Sequence, residues 1–371
     1  MRWPQRGYPA RRIGAAGQRV GGWSAPDSLG WCPSISSPTG GPTKYIAYSP
    51  GCAADALTLA EGPVPLPGAG ELLIEVACAG VNRPDLLQRA GHYPPPVDAS
   101  PVLGLEVSGT VAALGAGVSE WKVGDAVTAL APGGGYAEYC AVPSQHALRI
   151  PTGMTLADAA ALPENWFTVW ANLMDLALLK PREHLLVHGG SSGIGLTAIH
   201  LAKHLGVLCT VTVGSDQKAH FCRAFGAASA VNYRTTDFAQ AVRAQGTDGG
   251  IDVVLDIVGV PYLGRNLELL RPDGRLVFLA FMGGSEGMVD LAPILRKRLL
   301  LTGSTMRART RAEKHAIRDA LAIHIWPELD HGKLLPYIYT RFPLAEAGRA
   351  HALMEEGTHV GKILLQVAPH S

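Results

Sequence analysis

The spacing of hydrophobic positions changes near residue 155. Before it, short apolar or alternating runs at residues 44–49, 71–77, 126–130 and 136–142 are separated by turns rich in glycine and proline. Another apolar run, 102–114, is interrupted by Gly104 and Gly109. Runs of this length between such turns are typical of strands. Residues 43 to about 150 are therefore predicted to form a β-rich domain with few helices.

Beyond residue 155 the pattern alternates between strands and helices. Apolar runs at 184–188, 207–213, 229–232, 251–258 and 275–280 enclose helical patterns at 196–205, 216–225 and 261–270. This alternation predicts right-handed β-α-β crossovers and a parallel sheet covered on both faces. The remainder, from about residue 306, contains further helical and strand-like runs and is expected to pack on the first domain. The predicted fold class is α/β, with a doubly wound parallel-sheet domain and a β-rich domain.

Composition narrows the class of protein. The chain has 371 residues, of which 47% are hydrophobic and 17% charged, so it is long enough for two domains with large cores. No stretch approaches the roughly 20 apolar residues that cross a bilayer. The formal net charge of +1 lacks the excess of a dedicated nucleic-acid binder. We expect a cytoplasmic protein without a membrane or nucleic-acid partner.

Residues 1–42 differ from the rest of the chain. They contain 8 Gly, 6 Pro and 5 Arg but only one acidic residue, Asp27. No apolar period runs through them, so they are predicted to be a disordered extension rather than a packed unit. Their arginines leave an organellar transit peptide open as an alternative.

The strongest motif is a glycine-rich turn between a strand and a helix. Residues 185–195 read LLVHGGSSGIG. Backbone N–H groups exposed by such a turn, together with the positive end of the following helix, favour a pyrophosphate. Ser192 replaces the middle glycine of the G-x-G-x-x-G template. The predicted diphosphate-binding residues are Gly190, Ser191, Ser192, Gly193, Ile194 and Gly195.

The residues after the second nucleotide-domain strand indicate which dinucleotide binds. NAD sites usually place a carboxylate there to bond the ribose 2′-hydroxyl. Here the strand is followed by Gly214 and Ser215, with Lys218 shortly after, and Asp216 is expected to be the cap of the next helix. A hydroxyl and an ammonium suit a 2′-phosphate, and Tyr233 could add a phenolic donor. We therefore predict NADP(H) rather than NAD(H).

The turn is also similar to the G-x-x-x-G-I-G turn of short-chain dehydrogenases. Those enzymes use a Tyr-x-x-x-Lys pair as proton donor. None of the tyrosines that follow the turn has a lysine four residues later. The long β-rich domain before the turn also disfavours this alternative.

Six segments in order carry a resemblance to a known family. They read AGVNRPD at 79–85, GHYPPP at 91–96, GLEVSG at 104–109, PGGGYAEY at 132–139, PENWFTVW at 163–170 and VGK at 360–362. Together with the glycine-rich turn at 185–195, here called the phosphate turn, they resemble the quinone oxidoreductase branch of the medium-chain dehydrogenase/reductase superfamily, and within it the p53-inducible type. The resemblance covers the chain from about residue 44 to residue 367.

The resemblance implies a domain arrangement and a set of roles. Residues 43–165 and 308–371 would form a GroES-like catalytic domain, and residues 166–307 a Rossmann domain. Asn82 and Tyr93 would face the nicotinamide and the substrate. The rest of the cofactor would be lined by Ile257, Phe281, Met282, Gly283 and Lys362. An apolar run at 299–304 would be an edge strand, and an unpaired apolar edge predicts a homodimer.

Zinc alcohol dehydrogenases share this superfamily, but the expected ligands are missing. Asn82 stands where the catalytic cysteine is expected, Leu105 replaces the histidine of a Gly-His-Glu segment, and no group of four close cysteines exists. We predict no metal. A site without a metal suits acceptors that take hydride readily, such as quinones. An enone or enoyl reductase stays open as an alternative, and so does an NADPH-binding protein with a structural or RNA-binding role.

Overall fold

The computed structural model describes residues 41–245 and 250–367. The predicted extension, residues 1–42, lies almost entirely outside this part. The strands are β1 (Thr43–Ala47), β2 (Thr58–Gly62), β3 (Glu71–Val81), β4 (Glu106–Leu114), β5 (Ala126–Leu130), β6 (Tyr139–Pro143), β7 (Ala147–Arg149), β8 (His184–His188), β9 (Leu208–Val213), β10 (Ser229–Asn232), β11 (Ile251–Asp256), β12 (Leu270–Phe278), β13 (Leu300–Gly303), β14 (Ile338–Pro343) and β15 (Lys362–Gln366).

The helices connect these strands and cover the sheets. They are α1 (Arg83–Arg89), α2 (Leu156–Ala159), α3 (Pro163–Val169), α4 (Gly193–Leu205), α5 (Asp216–Phe225), α6 (Phe238–Ala244), α7 (Val260–Leu269), α8 (Ala292–Lys297), α9 (Arg311–His324), α10 (Trp326–Asp330) and α11 (Ala347–Glu356). A π-helical segment, Trp170–Leu176, follows α3 directly. No helix in the described residues is long and apolar enough to cross a membrane.

A seven-stranded sheet combines strands β3 to β7 with the two C-terminal strands, β14 and β15. Its order is β14-β15-β3-β4-β5-β7, and β6 also pairs with β3. The long strand β3 pairs with β6 through its first half and with β15 through its second half. The C-terminal strand therefore lies beside the end of β3, from which the chain enters α1.

A parallel six-stranded sheet forms the nucleotide domain. Its order is β10-β9-β8-β11-β12-β13, with β8 aligned from Leu185 opposite Val253 of β11. All six residues of β11 are buried, Asp252 and Asp256 included, as expected for a strand covered on both faces. The order reverses between β8 and β11, and ligands of doubly wound sheets bind at such a switch point. The predicted fold class is confirmed.

Several predicted elements differ from the observed ones. The helix expected at 196–205 begins three residues earlier, at Gly193. The last three residues of the glycine-rich segment therefore already belong to α4. The strand expected from residue 136 begins at Tyr139. Helix α1 was not predicted at all. Ser215, rather than Asp216, caps α5, because its hydroxyl accepts the backbone N–H of Lys218.

Candidate active site

The glycine-rich turn brings α4 very close to the strands. Ser192 caps the helix by accepting the backbone N–H of Gly195 at 3.0 Å. A Cβ atom on Gly195 would lie 2.4 Å from the carbonyl oxygen of Gly190. A Cβ atom on Gly190 would lie 2.3 Å from Cβ of Val211 in β9. Both glycines are therefore required by close packing, and the helix N-terminus is held at the switch point, where it can bind an anion.

The C-terminal strand meets this turn. The backbone N–H of Gly361 donates to the carbonyl of Ser191 at 2.8 Å. A Cβ atom on Gly193 would lie 2.8 Å from Cδ of Lys362 and 2.7 Å from Nδ2 of Asn165. Lys362 is thus beside the phosphate turn. Asn165, which the sequence reasoning did not single out, is also there.

Asn82 is fixed by the start of α1. Its backbone N–H donates to Asp85 Oδ2 at 2.8 Å, which closes a capping box. The other oxygen of Asp85 accepts the N–H of Gly104 at 3.1 Å. Because Asp85 is buried, its pKa is raised to about 6. This carboxyl group ties the end of β3 to the loop before β4.

Lys362, Asn82 and Glu106 form a buried cluster. Lys362 Nζ donates to Asn82 Oδ1 at 2.7 Å and pairs with Glu106 Oε1. Asn82 Nδ2 donates to the same Glu106 oxygen at 2.8 Å. Lys362 is 3% exposed and Glu106 is fully buried. The structure therefore brings two predicted site residues, Asn82 and Lys362, together. Glu106, to which the sequence analysis gave no role, joins them.

A small cavity, partly open to solvent, lies next to this cluster. It is lined by Tyr93, Leu105, Leu130, Ala131, Pro132, Glu164, Met306, Arg307 and Lys314. The guanidinium carbon of Arg307 lies 4.8 Å from the centre of the Tyr93 ring, and its Nη1 donates to the Tyr93 carbonyl at 3.2 Å. Of the polar lining residues, only Tyr93 was predicted from the sequence.

Glu164 connects the cavity with the buried cluster. Its backbone N–H donates to Glu106 Oε2 at 2.8 Å, and the residue is 7% exposed. Burial raises the pKa of Glu164 to about 8, and the nearby charge of Glu106 adds to this shift. Burial also raises the pKa of Tyr93, with a further contribution from Glu164. A carboxyl group that keeps its proton near neutral pH therefore lines the cavity.

A second group of predicted residues surrounds the tips of β9 and β10. A Cβ atom on Gly214 would lie 3.0 Å from the hydroxyl oxygen of Tyr233. Lys218 donates to the carbonyl of Gly357 at 2.5 Å. Burial lowers its pKa, and the nearby positive charge of Arg234 contributes. Arg234 was not predicted, and it adds a second cation to the predicted set of Ser215, Lys218 and Tyr233.

The remaining predicted cofactor residues lie at the end of β11. The carbonyl of Ile257 accepts the N–H of Met282 at 3.0 Å, and that of Val258 accepts the N–H of Gly283 at 2.8 Å. A Cβ atom on Gly189 would lie 2.4 Å from Cδ1 of Ile257. Phe281 and Met282 are about half exposed beside it. Ile257 and residues 281–283 therefore form one wall next to the phosphate turn.

Two family models match the chain. Residues 68–152 match the alcohol dehydrogenase GroES-like domain, and residues 193–322 match the zinc-binding dehydrogenase family. The two matches fall on the seven-stranded and the six-stranded sheet. A GroES-like sheet joined to a Rossmann sheet defines the class of medium-chain dehydrogenases and reductases.

Solved structures show the same fold at full length. A mycobacterial quinone oxidoreductase is 30% identical, with a TM-score of 0.76 over 88% of this chain and 100% of the other. Escherichia coli quinone oxidoreductase in complex with NADPH is 28% identical, with a TM-score of 0.77 over 88% and 100%. The CurK enoyl reductase is 26% identical, with a TM-score of 0.77 over 88% and 99%.

Among curated relatives, a mycocerosic acid synthase-like polyketide synthase of Mycobacterium tuberculosis is 32% identical over 82% of this chain. The chain spans only 14% of the length of that synthase. The chain belongs to the medium-chain dehydrogenase/reductase superfamily, in its zinc-independent quinone oxidoreductase branch. It is an oxidoreductase of that superfamily.

The name of one matching family raises the question of zinc, and the residues at the expected place do not fit it. An amide and a carboxylate are present, in Asn82 and Glu106, but the ammonium of Lys362 is bonded to both. A divalent cation there would face a positive charge that already neutralises the carboxylate. In the described residues, no group of three His, Cys, Asp or Glu side chains could hold a metal.

Proposed function

We propose that the protein is an NADPH-dependent reductase that transfers hydride to quinones or related conjugated carbonyl acceptors without a metal. The observation that carries this proposal is the cluster of Lys362, Asn82 and Glu106, in which an ammonium replaces a metal ion. Such a site lacks a strong Lewis acid to polarise an alcohol or a simple ketone. It suits conjugated acceptors, which accept hydride readily.

The residues that would hold the cofactor fit an NADP(H) molecule. Gly190, Ser191, Ser192, Gly193, Ile194 and Gly195 present a helix N-terminus without bulky side chains to the diphosphate. Ser215, Lys218 and Tyr233, joined by Arg234, suit a 2′-phosphate. The NADPH complex of the Escherichia coli relative supports the same choice. Bound NADPH supplies the hydride, and the protein supplies proximity and orientation.

The two residues proposed for catalysis have different tasks. Tyr93 lines the cavity, and burial raises the pKa of its phenol, so that it can keep its proton and donate a hydrogen bond to an acceptor oxygen. Asn82 uses its amide oxygen for Lys362 and its amide nitrogen for Glu106. We propose that Asn82 acts by holding the ammonium of Lys362 beside the cofactor.

Parallel assays test this function. The full chain, NADPH and either a quinone or an enone are mixed, and NADPH oxidation is followed by absorbance with and without a metal chelator. We expect NADPH oxidation with at least one acceptor and no effect of the chelator. NADPH that binds but is never oxidised would contradict the proposal and would favour a non-enzymatic role.

An enoyl reductase is the second candidate. It is favoured by the similarity to the CurK enoyl reductase and by the polyketide synthase relative. The cavity beside Tyr93 would then accept an enoyl thioester. An enoyl thioester in the same assay discriminates the two, because the better substrate has the higher kcat/KM.

We also propose a homodimer. Strand β13 is the last strand of the six-stranded sheet, and its Leu300 is half exposed. An apolar edge strand invites pairing with another strand. Pairing with a second copy across a two-fold axis would cover this edge.

A further inference from the structure

We propose that Glu164 is the proton donor of this enzyme, delivering a proton to the acceptor oxygen that becomes negative when hydride is added. This inference rests on the reductase function proposed above. Neither the sequence pattern nor the site residues predicted from it assign a proton donor. The acceptor would bind in the cavity beside Tyr93.

The position of Glu164 fits this task. It lines the same cavity as Tyr93, and only 7% of its surface is exposed. Its backbone N–H is anchored on Glu106 Oε2 at 2.8 Å, so it is fixed to the cluster that contains Lys362. An acceptor bound in this cavity would therefore have both Tyr93 and Glu164 among the residues around it.

The surrounding charges decide whether Glu164 holds a proton. The groups that interact with it come from β4, β15, α1, α9 and the loops beside the cavity, and they are Glu106, Lys362, Asp85, Arg307, Lys314 and Tyr93. Burial and the two carboxylates favour the protonated form, whereas the cations oppose it. Burial and the two carboxylates outweigh the cations, so the pKa of Glu164 is raised to about 8. Such a carboxyl group is protonated at neutral pH and can release its proton at modest cost.

The other polar groups nearby are less suitable. Glu106 is paired with Lys362, and it also accepts hydrogen bonds from Asn82 and from the backbone of Glu164. Lys314 Nζ donates to the carbonyl of Arg307 at 3.3 Å. The raised pKa of Tyr93 keeps its phenol protonated, so that it can still donate a hydrogen bond, but makes it a poor acid near neutral pH.

In the proposed reduction, the acceptor gains a hydride, with its two electrons, from the reduced nicotinamide, and an electron pair moves to the carbonyl oxygen. The O–H bond of Glu164 breaks and a new O–H bond forms on the acceptor, which leaves a Glu164 carboxylate. A proton from solvent then restores the carboxyl group through the open side of the cavity.

The first test compares Glu164→Gln with Glu346→Gln, a partly exposed carboxylate that is paired with Arg349. Because general acid catalysis typically contributes about 10²–10⁴-fold, we expect E164Q to lose about 100-fold or more in kcat while NADPH affinity is kept. The wild type and E346Q should lose activity as the pH rises through about 8, the pKa of Glu164. The pH profile of E164Q should lack this step. Wild-type kcat in E164Q, or the same fall with pH, would overturn the proposal.

The second test does not depend on turnover. Infrared difference spectroscopy of the protein without cofactor can detect the C=O stretch of a protonated carboxyl group. A band that disappears as the pH rises through about 8 is expected in the wild type and in E346Q, but not in E164Q. If the wild type shows no such band at neutral pH, Glu164 is ionised and the proposal is wrong.

The two tests together separate this inference from the proposed function. If no conjugated acceptor is reduced by the wild type, the function proposed above fails, and the role of Glu164 as donor fails with it. If acceptors are reduced and only the infrared band or the pH step is missing, the function stands and the proton donor is another group.

Discussion

Lys362 and Glu106 form a buried ion pair. Breaking one side of a buried ion pair costs about 3–5 kcal/mol, because the remaining charge is left without a partner. The hydrogen bonds from Asn82 complete this cluster. The carboxylate of Glu106 is therefore already neutralised by the ammonium of Lys362.

Charge also decides the choice of dinucleotide. Replacing Lys218 or Arg234 by Ala removes a cation from the tips of β9 and β10, where the carboxylate of Asp216 accepts a hydrogen bond from Asn232. A charge-assisted hydrogen bond contributes about 1.5–3 kcal/mol, so the preference for NADPH over NADH should fall about tenfold or more in each variant. The dissociation constants of both dinucleotides measure this.

The control for these variants is Lys122→Ala, since Lys122 is exposed in the loop before β5. It should bind both dinucleotides like the wild type. If Lys218→Ala and Arg234→Ala leave the NADPH/NADH ratio unchanged, the 2′-phosphate is bound elsewhere.

The sequence predicted part of this residue-level picture. Ser215, Lys218 and Tyr233 follow strands whose ends are visible in the pattern, so parallel pairing of β9 and β10 brings them together. Glu164 and Arg307 could not be assigned in this way. They are 143 residues apart in the chain and share a cavity only because the chain after β13 returns to the first sheet.

Helix α4 depends on two glycines at the level of secondary structure. In Gly195→Ala the new methyl group would meet two backbone carbonyl oxygens at 2.4 and 2.5 Å, so the helix must move away from the strands. We expect NADPH affinity to fall at least about tenfold, because the N–H groups of the turn lose their alignment. Calorimetric titration of the folded variant measures this.

Gly264→Ala is the matched control for Gly195→Ala. Gly264 lies within α7, and a Cβ atom there would meet no atom within 4 Å. Alanine in a helix interior is favoured over glycine by about 1 kcal/mol. The control should therefore bind NADPH normally and unfold at equal or higher denaturant concentration. Normal NADPH binding by Gly195→Ala would show that close packing of α4 is not required.

Local patterns predicted most of the strands but not every helix. The run that became β11 was recognisable from the apolar residues 253–255 at its centre, and all six residues of the strand are buried. Helix α1 was missed because its seven residues include a proline and too few turns to show a period. It is held by the capping box between Asn82 and Asp85, and by the contact of Asp85 with Gly104, which lies 19 residues away.

At the scale of the molecule, the C-terminal strand returns to the first large sheet. Strand β15 pairs with β3, and its entry at Gly361 is bonded to the phosphate turn. This arrangement brings Lys362 between the cofactor turn and Asn82. The change of hydrophobic period predicted two domains, but their mutual position depends on contacts between residues far apart in the chain. Sequence periodicity does not encode such contacts directly.

The central claim is that the turn after β8 binds the diphosphate of NADPH. Isothermal titration calorimetry of the full chain with NADPH and NADH tests it most directly. We expect saturable binding of one NADPH per chain and weaker binding of NADH. No heat of binding with either dinucleotide, from a folded protein, would contradict it.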